Sequence, residues 1–141
     1  MSQNLGPGEY LSIQLTVNEY IEAQSDLELQ LMQNSQHLRL KQKHSSNEIS
    51  QLQQQFTEEQ TLIRNEMRGA ERLSDEYYNL LAELEESQAQ QEMQISDIEN
   101  EANDYAQKIE TENSMLETQI AAIKEDKENL KQTQKNNIQG K

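Results

Sequence analysis

The sequence predicts an all-α protein made of long amphipathic helices of the coiled-coil type, with no β-sheet. Three observations carry this. Apolar residues recur at seven-residue spacing over most of the chain, the pattern a helical seam requires. Only 33% of the 141 residues are apolar, with one Phe, one Pro and no Trp, too few for a two-layer core but enough for a narrow seam. Between Gly8 and Gly140 the single glycine is Gly69, so the chain carries little of the punctuation that marks turns.

Residues 1–8 read as a flexible tail, with Pro7 between two glycines. Residues 9–43 read as the first helix. "YLSIQLTV" alternates like a strand, but no turn residues follow it and it also fits a helix. Tyr10, Val17, Gln24, Leu31 and Leu38 form one row, and Ile13, Tyr20 and Leu27 its neighbour. Leu11, Leu15 and Ile21 widen the stripe. A stripe of that width faces more than one neighbour, so this helix is predicted to touch two others.

A bend is predicted at 44–47. Leu40 is the last apolar residue before Ile49, and Ser45, Ser46 and Asn47 are turn formers. Ser45 with Glu48 spells a capping box, and Arg39, Lys41, Lys43 and His44 suit a helix C-terminus.

A long helix is predicted over 48–136. Ile49, Phe56, Ile63, Ala70, Tyr77 and Leu84 form one row, with Leu52, Leu73 and Leu80 beside it. The first row crosses Gly69 in phase, which favours a continuous helix there. The competing signal is Ser74 followed by Asp75 and Glu76, a cap that leaves 69–74 as a weak point. Beyond Leu80 the second row moves by one residue, to Leu81, Gln88, Ile95, Ala102, Ile109, Leu116, Ile123 and Leu130. Ile98 and Tyr105 continue the first row, which slips near Glu112 to Ile120. Gln88, Gln91 and Glu112 are read as polar seam positions. Residues 137–141 read as a frayed end.

In the expected architecture the first helix folds back on 48–82, and the rest of the long helix projects with its seam uncovered. An isolated helix does not hold an apolar stripe in water. Association with a protein partner, either a second copy or another coiled coil, is therefore expected through this seam.

No catalytic, cofactor or metal site is read from the sequence. There is no cysteine, hence no thiolate chemistry or disulfide. The net charge of −14 opposes nucleic-acid binding and attachment to anionic membranes. His37 and His44 lie seven apart, but Asn34 and Lys41 stand where a di-iron helix would carry Glu. The span 83–117 holds one basic residue, Lys108, and no calcium-loop motif. Its carboxylates lack a cleft that would make an acid–base pair. No small-molecule substrate is implied.

Two basic groups remain. Arg64, Arg68 and Arg72 share one helix face; they form either a site for an anion or an acidic partner, or a solvated stripe balanced by Glu71, Asp75 and Glu76. Lys124, Lys127, Lys131 and Lys135 either compensate the helix dipole or meet an acidic segment.

No apolar run reaches a membrane span, and "MSQNLGPGEY" lacks the features of a signal peptide. A cytoplasmic location is expected, although a signal-independent export route leaves no mark on a sequence. The functional expectation is a non-enzymatic structural or interaction protein, a coiled-coil scaffold or assembly factor. In size, helicity and the lack of a signal peptide, the chain also resembles the small coiled-coil stalks and export chaperones of bacterial flagellar and type III secretion systems. That resemblance implies a component, chaperone or signal-less substrate of an export machine.

Overall fold

The computed structural model describes residues 6–139. It contains two helices, α1 at Pro7–Gly69 and α2 at Asp75–Gln139, and no strand among the described residues. The chain is a helical hairpin that turns at 70–74.

The expected all-α hairpin is therefore present, but its turn is not where the sequence pattern placed it. Residues 44–47 lie inside α1, and no break occurs there. Ser45 is only 5% exposed. It extends the seven-residue row from Leu38 to Leu52, so the apparent pause is a small polar residue occupying a seam position. Its Oγ is buried without a hydrogen-bond partner, so it is a packing residue and not a cap. The single helix expected over 48–136 is interrupted by the turn.

The turn has its own local chemistry. Ala70 N–H donates to the carbonyls of Glu66 and Met67 at 3.1 and 3.3 Å, tightening the end of α1. Ser74 N–H donates to Glu71 O at 3.1 Å. The Ser74 hydroxyl accepts from Tyr77 N–H at 3.1 Å, an N-cap with Asp75 and Glu76 in the first turn that follows. Leu73 adopts the left-handed conformation at φ 66°, which costs an L-residue about 1–2 kcal/mol. Gly69 ends α1 with no positive φ, and a Cβ there would meet nothing within 4 Å. The glycine is thus not the residue that the turn geometry needs.

At the other end, Pro7 opens α1 and is not part of a tail. Proline suits a first helical position, and Gly6 O accepts from Tyr10 N–H at 3.0 Å. Residues 1–5 of the expected tail lie outside the described residues. α2 continues through 137–139, where fraying was expected; 140 and 141 lie outside the described residues.

The chain divides into two compact units. In the unit formed by the chain ends, described residues 6–37 pack on described residues 108–139. Val17, Ile109, Leu116 and Ile120 are buried. In the unit around the turn, 38–107, the buried apolar residues are Phe56, Ile63 and Leu80. The expectation that the first helix packs on 48–82 and leaves the remaining seam bare is overturned. The apolar row of 109–130 is covered by described residues up to 37 of the same chain.

Candidate interaction surfaces

The structure places most of the apolar row residues read from the sequence inward to some degree, with Tyr10 and Leu73 exposed. Phe56, Ile63, Ile109 and Leu116 are buried. Ile49, Leu52, Tyr77, Leu81, Leu84, Ile95, Ile98, Tyr105, Ile123 and Leu130 are half-buried. The polar seam positions are partly different. Gln91 is half-buried, as expected, but Gln88 and Glu112 are exposed. Their neighbours Ser87 and Asn113 turn inward instead. The spacing explains this: inward positions at 84, 87 and 91 step by three then four, so a strict seven-residue row from Leu81 leaves the seam at Gln88.

In the chain-end unit, polar side chains meet as rungs across the seam. Asn34 Nδ2 donates to Asn113 Oδ1 at 2.9 Å. Lys127 Nζ donates to Gln24 Oε1 at 2.8 Å, and Gln134 Nε2 donates to Gln14 Oε1 at 3.3 Å. Lys127 thus spends its charge on an amide, while Lys124, Lys131 and Lys135 are exposed. In the turn unit, buried Gln60 donates to Gln91 Oε1 at 2.9 Å and to Ser87 Oγ at 3.5 Å. Ser87 in turn donates to Glu59 Oε2 at 3.3 Å. Such rungs cost stability relative to apolar pairs and specify register.

Two outer surfaces stand out. The first is on α1 in the chain-end unit. Leu11, Leu15, Leu29 and Met32 are 61%, 63%, 47% and 54% exposed. Helical spacing sets them away from the seam as two pairs, Leu11 with Leu15 and Leu29 with Met32, about 20 Å apart along the helix with Asn18, Glu22 and Ser25 between them. The widened stripe predicted two neighbours for this helix; within this unit its seam side is covered and this side is bare. Leu29 and Met32 belong to the same surface and fell outside the rows read from the sequence. An angular reading of the helix, rather than row-counting, finds them.

The second is a concavity of about 560 Å³ beside the turn, lined by Arg64, Met67, Arg68, Ala70, Arg72, Tyr77 and Leu84. The arginines predicted to share a face are brought together here. Arg68 Nη1 donates to Asn65 Oδ1 at 3.4 Å. The acid–base contacts among the described residues are the ion pair Lys41–Glu101 at 3.2 Å and the His44 Nε2–Glu48 Oε1 contact at 3.4 Å, so neither involves an arginine. The balancing carboxylates expected at 71, 75 and 76 do not engage these side chains. Tyr77, half-buried, is held edge-on to Tyr78 with ring centroids 5.8 Å apart. A second concavity of the same unit, about 510 Å³, is lined instead by Glu59, Glu66, Glu83 and Glu86 with Leu62, Ile63, Ser87 and Gln90.

No family model, curated protein or solved structure matches this chain. Among the described residues no helix is long and apolar enough to cross a membrane.

Proposed function

We propose that the protein is a non-enzymatic interaction protein, a coiled-coil scaffold or assembly factor whose outer faces hold a partner while its own seam stays closed. The observation that carries this is the bare pairs Leu11–Leu15 and Leu29–Met32. In a chain with 33% apolar residues, two exposed apolar pairs on the outward side of one helix offer two small docking points, about 20 Å apart, to a partner helix lying along it.

The magnitude narrows the reading. Covering four half-exposed side chains recovers roughly 1 kcal/mol each. That total only just meets the low end of the ~4–15 kcal/mol lost in association. The two pairs alone therefore support weak, exchangeable binding, and a stable complex needs further contacts.

A photo-crosslinking residue placed at Leu15 or Leu29 in cells tests this. Discrete adducts are expected at both positions and should fall when Met32 is changed to Asp. Labelling no stronger than at exposed Gln54 would count against the proposal. Adduct mass separates a second copy from another protein. Adducts to an export ATPase or its associates would favour the alternative, a secretion-machine component, which the chain's size and two-helix form support.

A further inference from the structure

We propose that the concavity beside the turn binds an acidic segment of a partner protein, with an apolar side chain of that segment seated on the Tyr77–Leu84 floor. This goes beyond the scaffold reading, because it concerns a different surface and a defined ligand chemistry.

The first argument is distribution. The chain carries 26 acidic and 12 basic residues, and its arginines are Arg39, Arg64, Arg68 and Arg72. All but Arg39 line this one concavity. The second argument is that none of these guanidinium groups is ion-paired: Arg68 gives one hydrogen bond to Asn65, and the acid–base contacts among the described residues use Lys41 and His44. Guanidinium forks match carboxylates in a bidentate geometry that lysine does not reproduce. The third is the floor. Met67, Ala70, Tyr77 and Leu84 present apolar surface between the charges, so a ligand of pure charge leaves that surface uncovered.

Charge also selects among occupants. A nucleic acid extending past the concavity runs onto a unit whose other concavity is lined by four glutamates. A second copy brings a net charge of −14 against −14, which opposes its approach. A short acidic segment from another protein meets the arginines without either penalty.

The test is fluorescence anisotropy on the full chain, using a labelled peptide of glutamates flanking one leucine and one phenylalanine. The comparators are the same peptide with Gln for Glu, an all-Glu peptide, and a polyuridine of equal charge. The acidic-apolar peptide is expected to bind most tightly. R64Q/R68Q/R72Q is expected to weaken it about tenfold with unchanged helicity by circular dichroism, since all three side chains are exposed. Replacement of all three by Lys should recover only part of the loss. Leu15→Asp should leave the affinity unchanged, which separates this proposal from the apolar pairs. Affinity indifferent to the arginines, equal or tighter polyuridine binding, or an arginine-dependent rise in sedimentation mass without peptide would each overturn it.

Discussion

In the chain-end unit, the inward positions alternate by three and four residues throughout. They run Ile13, Val17, Tyr20, Gln24, Leu27, Leu31 and Asn34 on α1. On α2 they run from Ile109 through Asn113, Leu116, Ile120, Ile123, Lys127 and Leu130 to Gln134. The unit around the turn is less regular. There, Leu52, Phe56 and Gln60 are separated by four and four, as are Ser87, Gln91 and Ile95. A doubled step of four locally unwinds a helical seam. These two doubled steps meet at Gln60, Ser87 and Gln91, while a further one, Lys41, Ser45 and Ile49, leaves the Ser45 hydroxyl without a partner. Where the pattern is regular, polar residues cross the seam as isolated pairs. Where the slips on the two helices face each other, polar residues gather into a network. Both units expose leucines, Leu11, Leu15 and Leu29 in one and Leu40, Leu62 and Leu73 in the other; what separates their outer surfaces is that all four arginines lie in the unit around the turn.

Truncating the seam tests the contrast most strongly. Leu116→Ala should cost about 2–3 kcal/mol in a urea titration, as for a buried leucine. Ile98→Ala, at a half-buried position of the turn unit, should cost about half as much. Equal losses would remove the distinction between the units. The rungs should respond in opposite directions. Asn34→Leu with Asn113→Leu removes both partners of a pair and should raise stability by about 1–2 kcal/mol. Gln60→Leu leaves the Gln91 amide oxygen without its donor and Ser87 with its bond to Glu59 alone, and should lower it by about 1 kcal/mol. A matching sign in both thermal melts would contradict the network reading.

Smaller effects probe local strain. Ser45→Ala removes a buried hydroxyl without a partner and should stabilise by about 1 kcal/mol. Leu73→Gly relieves a left-handed leucine and should add about 1 kcal/mol. Gly69→Ala should add no more than ~0.5–1 kcal/mol, since space for a Cβ is open. A loss of stability in Gly69→Ala would show that the turn does need that glycine.

These strained and polar positions are also where sequence reasoning failed. The helical class, the inward rows and the Ser74 cap were legible from period and side-chain chemistry. The turn was not. The row Ile49, Phe56, Ile63, Ala70, Tyr77, Leu84 keeps its spacing through 70–74 because seven-residue periodicity does not record chain direction. A return of suitable length leaves the count unbroken, and Leu73 occupies the left-handed position where glycine would have flagged it. At Ser45 the error ran the other way: a turn-forming residue was packed as a small seam residue. The arginine concavity was half legible. Arg64 and Arg68 share a face by spacing alone, but Tyr77 and Leu84 reach them only because the chain reverses.

The central claim is that the apolar seam is closed within one chain, leaving outer faces for partners. The chain contains no cysteine, so a pair can be introduced cleanly at Asn34 and Asn113, whose side chains meet at 2.9 Å. A short bismaleimide applied to the dilute Asn34→Cys/Asn113→Cys protein should give an intramolecular crosslink in a species of monomer mass. Crosslinked dimers, or two unlinked thiols each carrying a hydrolysed reagent, would contradict the hairpin.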